Sequence, residues 1–130
     1  MRIITKTITI PIEGNSMTFR IKKLDAFSGA YLLRLLSKAP DESDTLSSLF
    51  LSLPRDDLRM MMTICLNHAE VLLPAGYISV MTGDDWSWPE LEYDTSTCLK
   101  LMLEVTVWTL TGFFSEGGSD SRSAEESTSK

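Results

Sequence analysis

The chain has 130 residues, of which 43% are hydrophobic and 23% charged, and this is typical of a single globular domain. The net charge of −6 and the scattered basic residues argue against the dense basic face that nucleic-acid binding requires. No uninterrupted apolar run reaches the roughly 18 residues of a membrane span, and the N-terminal segment lacks the apolar stretch of a signal peptide. Cys65 and Cys98 form no CxxC pair and suit buried thiols in a reducing compartment. We therefore expect an acidic cytoplasmic domain that binds neither nucleic acid nor membrane.

Basic and acidic residues are unevenly distributed along the chain. Seven of the 12 Lys and Arg residues lie in residues 1–40, whereas most acidic residues follow. The basic residues 1–40 of one copy could bind the acidic remainder of another, which permits head-to-tail self-association into a homo-oligomer. The alternative is that the two parts neutralise each other's charge within one chain.

The first segment predicts a β-hairpin over about residues 3 to 22. β-Branched residues dominate it, and apolar residues alternate with polar ones, which is the period of a half-buried strand. Residues 13–16 supply the turn, because Gly14 and Asn15 tolerate positive φ. An isolated hairpin is marginal in water, so its apolar face should lie on the helices that follow. That face carries Ile4, Lys6, Ile8, Ile10 and Ile12 on the first strand and Met17, Phe19 and Ile21 on the second.

About four helices are predicted after the hairpin, because the hydrophobic period changes from two to 3.6 near Leu24. The first is capped by Asp25 or Ser28 and ends near Lys38. The second follows turn and cap residues at 41–44, and the third has Pro54 at its first position. The buried stripe of the third helix comprises Leu58, Met61, Met62, Cys65, Leu66 and Ala69.

A connector of some twenty residues separates the third helix from the last one. Residues 77–81 are a candidate short strand, and residues 82–85 have the composition of a turn. The last helix is predicted over 98–111, with residues 94–97 as its N-terminus and Gly112 as its stop.

The sequence thus predicts one α+β domain over residues 1–114, with the N-terminal hairpin packed on a small helical bundle. Residues 115–130 contain one Ala and no larger apolar side chain, and we expect them to form a disordered, flexible, acidic and Ser-rich tail.

No motif in the chain indicates an enzyme, a metal site or a cofactor. Cys65 and His68 lie three residues apart on one predicted helix, but a structural zinc site takes four ligands and Cys98 is the only other thiol. Side chains on one helix face point in parallel, so this pair does not favour nucleophilic catalysis. The acidic pairs at 56–57 and 84–85 are explained by a helix first turn and a tight turn. We expect no catalytic residue, no metal and no cofactor.

The connector and the end of the last helix are instead the predicted partner-binding site. Bulky aromatic residues cluster there beside turns, where the local sequence offers few apolar neighbours, and such residues are frequent anchors at protein interfaces. The alternative is that Trp86 or Trp88 folds back onto the core, and the two phenylalanines pose the same choice. The predicted site residues are Trp86, Trp88, Tyr93, Phe113 and Phe114.

Methionines offer a second candidate surface, because their flexible thioether side chains adapt to varied partners. Met60, Met61 and Met62 follow one another, and Met81 and Met102 come later. Helical spacing assigns Met61 and Met62 mostly to the core, whereas Met60 faces elsewhere.

Most of residues 17–118 resemble the tail assembly chaperones of long-tailed, siphovirus-like bacteriophages and prophages. The resemblance is carried, in order, by MTFRIKKLDAFSGAYLLRLLSKA, LPRDDLRMMMTICLNHAEV, LPAG, LEYDTSTCLKL and TGFFSEGG. It implies a small, largely helical, non-enzymatic protein of the host cytoplasm that keeps the tape-measure protein soluble while tail-tube subunits assemble around it. Some members of this family also have a longer, frameshifted form, which would extend from the acidic tail. The basic N-terminal strand pair is less typical of the family.

Three functions are compatible with these features. A chaperone binds a helical client stoichiometrically without turnover, whereas a tail-completion or connector subunit is incorporated into the virion. A small host-directed adaptor or inhibitor binds a cellular partner.

Overall fold

The computed structural model describes residues 4–37 and 45–118, with side chains described as far as residue 111. These residues form a four-stranded antiparallel sheet, a separate two-stranded hairpin and four α-helices. The α+β class is therefore confirmed. The sheet has the strand order β1-β2-β3-β4, with bounds Thr5–Ile12, Asn15–Lys22, Ala69–Leu73 and Gly76–Ser79, and the second hairpin joins β5 (Met81–Thr82) to β6 (Asp85–Trp86).

The predicted N-terminal hairpin is confirmed as β1 and β2. Its two-residue turn places Glu13 at φ 49° and Gly14 at φ 84°, and paired positive φ values match the right-handed twist of the flanking strands. Ile8 pairs with Phe19, and Ile10 pairs with Met17. The alternation predicted from the sequence therefore directs one apolar face towards the core.

The third strand was not predicted. Ala69 continues the helical spacing of the preceding stripe, but it lies on β3 and pairs with Ile21, while Val71 pairs with Phe19. The assignment of Ala69 to the third helix is therefore wrong. Pairing with β2 satisfies backbone groups of this segment and buries Ala69 and Val71 completely, which outweighs its local helical pattern.

Capping explains where the first two helices begin. The Asp25 carboxylate accepts a 3.2 Å hydrogen bond from the Ser28 backbone N–H, so Asp25 caps the first helix, α1 (Ala26–Ser37). The Thr45 hydroxyl accepts from the Ser48 backbone N–H at 3.1 Å and caps the second helix, α2 (Leu46–Leu51). The sequence predicted this cap at residues 41–44, which lie outside the described residues. The helices are α1 Ala26–Ser37, α2 Leu46–Leu51, α3 Arg55–Asn67 and α4 Thr95–Gly118.

The last helix is longer than predicted at both ends. It begins at Thr95, within the residues 94–97 that were predicted as its N-terminus. The Asp94 carboxylate accepts hydrogen bonds from both the backbone N–H and the hydroxyl of Thr97, at 3.1 and 2.7 Å, and so caps the helix. The predicted stop at Gly112 is wrong, since the helix continues to Gly118. Glycine weakens a helix interior by about 1 kcal/mol but does not end it. No helix in the described ranges combines the length and apolar content needed to cross a bilayer.

The core lies between the inner face of the sheet and the helices α3 and α4. Helix α4 packs against α3 and β2, and α3 also contacts β3 and β5. The largest fully buried side chains are Phe19, Ile21 and Val71 from the sheet, Met61 and Leu66 from α3, and Leu101 and Met102 from α4, with Leu32, Leu35, Phe50, Val80 and Leu91 around them.

Hydrogen bonds and cation–π contacts connect α4 to the N-terminal segment. The Trp108 indole N–H donates to the Ile4 carbonyl at 3.0 Å, and the ammonium groups of Lys6 and Lys23 lie 5.5 and 4.6 Å from the centroid of its ring. The Leu24 backbone N–H donates to the Thr109 hydroxyl at 3.0 Å. These cation–π contacts and hydrogen bonds hold α4 against the first strand.

Candidate partner-binding surface

An open groove lies between α3 and the β5–β6 hairpin, and Asn67 at the end of α3 hydrogen-bonds to the turn of that hairpin. The Asn67 amide donates to the Gly83 carbonyl at 2.9 Å and accepts from the Gly83 backbone N–H at 2.7 Å. Gly83 has φ +61°, a backbone conformation that residues with a Cβ rarely adopt. The same amide also donates to the Thr63 carbonyl at 2.7 Å. The turn of the hairpin is thereby held beside the C-terminal end of α3.

This groove has a volume of about 390 Å³ and a mixed lining. Leu58, Met62 and Leu66 recur every four residues along α3, so they form one apolar row. Met81 and Trp86 line the groove from the hairpin. Its remaining lining residues are polar or charged: Arg55, Arg59, Thr63 and Asp84.

Methionine and tryptophan give the groove the chemistry of an adaptable binding surface. Thioether side chains rotate easily and fill irregular space, whereas tryptophan provides a large, rigid contact area. Met62 and Trp86 are each half-buried, so part of each side chain is open to a partner. The groove therefore offers exposed parts of Met62 and Trp86 as apolar contact surface.

The five aromatic residues predicted to form one site are separated by the structure. Trp86 lines the groove, but Trp88 is only 8% exposed and packs edge-on against Phe19, with ring centroids 6.1 Å apart. The expectation that Trp88 lacks apolar neighbours is wrong, because the chain turns back at this point and the alternative of a core tryptophan is the observed one. Phe113 and Phe114 fall on α4, and their side chains lie outside the described ones.

Tyr93 lies in a different place from Trp86. Its side chain is 91% exposed, and it borders a second, larger cavity of about 700 Å³ that Trp88 also lines. The charged residues around that cavity are Glu13, Glu90 and Asp94, so its lining is acidic and mainly polar. Tyr93 and Trp86 therefore belong to different surfaces.

The three consecutive methionines also point to different environments. Met61 is completely buried, as the helical spacing predicts, and Met60 is 54% exposed, away from the core. Met62 packs partly on the core but also lines the groove. The sequence signal for the groove was the four-residue repeat of Leu58, Met62 and Leu66, which helical spacing alone predicts to be core.

Both thiols are held in their neutral form. Burial raises the pKa of Cys65 to about 12, although contact with the Thr106 hydroxyl, 4.0 Å away, opposes the shift. Burial, together with the charge of Asp94, raises the pKa of Cys98 to about 11. A neutral thiol is a weak nucleophile and a poor metal ligand.

His68, three residues after Cys65, contacts a backbone carbonyl and a carboxylate of the fold. His68 Nδ1 lies 2.8 Å from the Ile64 carbonyl, and its Nε2 lies 3.5 Å from the Asp25 carboxylate. Over the described ranges, no three His, Cys, Asp or Glu side chains are grouped so as to hold a metal ion.

Comparison with protein-family models, curated proteins and solved structures found no match to this chain.

Proposed function

We propose that the protein is a tail assembly chaperone of a long-tailed phage or prophage. It acts without catalytic turnover in the host cytoplasm, binds the tape-measure protein and brings tail-tube subunits to it. The groove between α3 and the β5–β6 hairpin is its binding site for a helical segment of the tape-measure protein. The resemblance described above supports the identity of the partner, and the groove supports the mode of binding.

The observation that carries this proposal is the row of Leu58, Met62 and Leu66 facing Met81 and Trp86. The stretch from Arg55 to Leu66 is about 16 Å long at 1.5 Å per residue, and this matches about three turns of a partner helix. An amphipathic helix places apolar side chains at i, i+3 or i+4 and i+7 on one face, which is the pattern that such a groove accepts. Adaptable methionine contacts suit a chaperone that binds several related segments of a long client.

A tail-completion or connector subunit remains the alternative within the virion, and a host-directed adaptor is the alternative outside it. These functions differ in where the protein ends up. A chaperone is released when the tail is complete, a connector remains in the particle, and a host-directed adaptor binds a cellular protein. Mass spectrometry of purified virions distinguishes the first two, and we expect the chain to be absent from mature particles.

The direct test is co-expression with a tape-measure protein from the phage or prophage that encodes this chain. We expect the full chain to keep that protein in the soluble fraction and to co-purify with it at a fixed ratio. Trp86→Ala should weaken the interaction about thirtyfold, corresponding to the roughly 2 kcal/mol that a desolvated aromatic anchor contributes. Leu72→Ala, which removes an exposed apolar side chain outside the groove, is the matched control and should bind normally. A tape-measure protein that stays insoluble with the wild-type chain would contradict the proposal.

A further inference from the structure

The groove has opposite charges at its two ends. Arg55 and Arg59 lie four residues apart near the start of α3, and both line the groove. Asp84 lies in the turn that Asn67 holds against the other end of α3. The positive end of the α3 dipole lies at the same end as the two arginines, where Asp56 and Asp57 of the first turn partly offset it.

The acidic residues next to these arginines do not line the groove. Asp56 and Asp57 follow Arg55 by about 100° and 200° around the helix, so they lie on other faces of α3. Asp57 accepts a 3.1 Å hydrogen bond from the Tyr31 hydroxyl of α1. Among the described side chains, no carboxylate lies within 4 Å of the Arg55 or Arg59 guanidinium group. The arginine end of the groove therefore presents positive charge beside an apolar floor.

We propose that this groove selects an acidic amphipathic helix, in which Glu or Asp residues flank the apolar row at the end that lies over Arg55 and Arg59. This inference rests on the proposed function and specifies the chemistry of the client segment. The apolar row of the client fills the space between Leu58, Met62 and Trp86. Its flanking carboxylates pair with the two guanidinium groups, whose planar forks suit carboxylates.

The protein's own C-terminal segment is a poorer fit to this groove. Residues 119–130 include Asp120, Glu125 and Glu126, which would suit the arginines. However, Ala124 is the only apolar residue among them, so they cannot cover the floor formed by Leu58, Met62 and Trp86. A partner that fits the groove therefore carries both apolar side chains, for the floor, and carboxylates, for the basic rim of Arg55 and Arg59.

The test uses three fluorescent peptides of about 18 residues that share one apolar row and differ only in flanking residues, which are Glu, Gln or Lys. Fluorescence anisotropy with the full chain should show the Glu peptide binding about tenfold more tightly than the Gln peptide, with the Lys peptide weakest. The preference should shrink as salt rises, because the rim is open to solvent. Arg55→Glu combined with Arg59→Glu should reverse the order. Lys22→Glu combined with Lys100→Glu changes the net charge equally at exposed positions outside the groove and should preserve it.

The outcomes separate this inference from the proposed function. If all three peptides bind equally, and Trp86→Ala weakens their binding while the arginine changes do not, the preference for an acidic helix is overturned. Binding of a client in the groove then still stands. Failure of every peptide to bind, or binding that Trp86→Ala leaves unchanged, would overturn both. Circular dichroism of each variant verifies that it is folded, and Arg55 and Arg59 are exposed, so these substitutions should not disturb the core.

Discussion

Trp86 and Trp88 are two residues apart, and alanine at each position should have opposite consequences. Trp88 is 8% exposed and contacts Phe19 edge-on, so Trp88→Ala leaves a cavity in the core. A buried Trp→Ala change costs about 3 to 5 kcal/mol, and this includes the loss of an aromatic pair worth about 1 kcal/mol. That is a large share of the roughly 5 to 15 kcal/mol that stabilises a domain of this kind. Trp86 is only half-buried at the groove, so Trp86→Ala should cost about 1 kcal/mol of stability.

Urea denaturation followed by circular dichroism measures both changes in free energy, and thermal denaturation measures the accompanying change in Tm. At about 3 to 5 °C per kcal/mol for a chain of this size, Trp88→Ala should lower Tm by roughly 10 to 25 °C, and Trp86→Ala by only a few degrees. Client binding should follow the reverse order, with Trp86→Ala weakening it in protein that is still folded. A Trp88→Ala variant that keeps wild-type stability and loses binding would refute this assignment of Trp88 to the core.

Three further predictions concern the supports of the groove and the core. Asn67→Ala removes the two hydrogen bonds to Gly83, and we expect the free energy of unfolding to fall by about 1 to 2 kcal/mol. The Gly83 amide should then exchange its hydrogen faster, and unchanged exchange would contradict this role of Asn67. Burial raises the pKa of Cys65 from 9.0 to about 12, so its contribution to stability is complete below pH 9 and is lost as pH rises towards 12, by about 1.4 kcal/mol per pH unit. Urea denaturation at several pH values in this range should show that the free energy of unfolding falls less steeply with pH in Cys65→Ala than in the wild type. Equal pH dependence in the two proteins would refute the assignment. Asp94→Ala removes the cap on Thr97 and should cost about 1 kcal/mol in thermal denaturation, whereas Asp94→Asn should retain most of it.

Local patterns were sufficient to predict the elements whose signals are local. The alternation in β1 and β2 and the turn at Gly14 predicted the hairpin and its buried face. Residues 94–97 were predicted as the N-terminus of the last helix, and α4 begins at Thr95 within them. In each case, the residues that determine the element lie within it or immediately beside it.

The third strand and the groove depend on contacts between distant residues. Ala69 fits the helical period of α3 and becomes a strand residue only because β2 is available to pair with it. Met62 and Trp86 are far apart in sequence and share a groove because Asn67 bonds to Gly83. Trp88 reads as a loop residue until the packing of Phe19 against it is known. The resemblance predicts a partner but not the surface that binds it.

The most direct measurement is methyl NMR of the methionines during titration with a helical fragment of the proposed client, a tape-measure protein. The chain has seven methionines, and among the described ones the exposure ranges from none for Met61 and Met102 to 54% for Met60, so they act as separate reporters. Binding in the groove predicts that the Met62 and Met81 methyl signals shift in proportion to occupancy, while exposed Met60 does not. Unchanged Met62 and Met81 signals in a saturated complex would contradict the account.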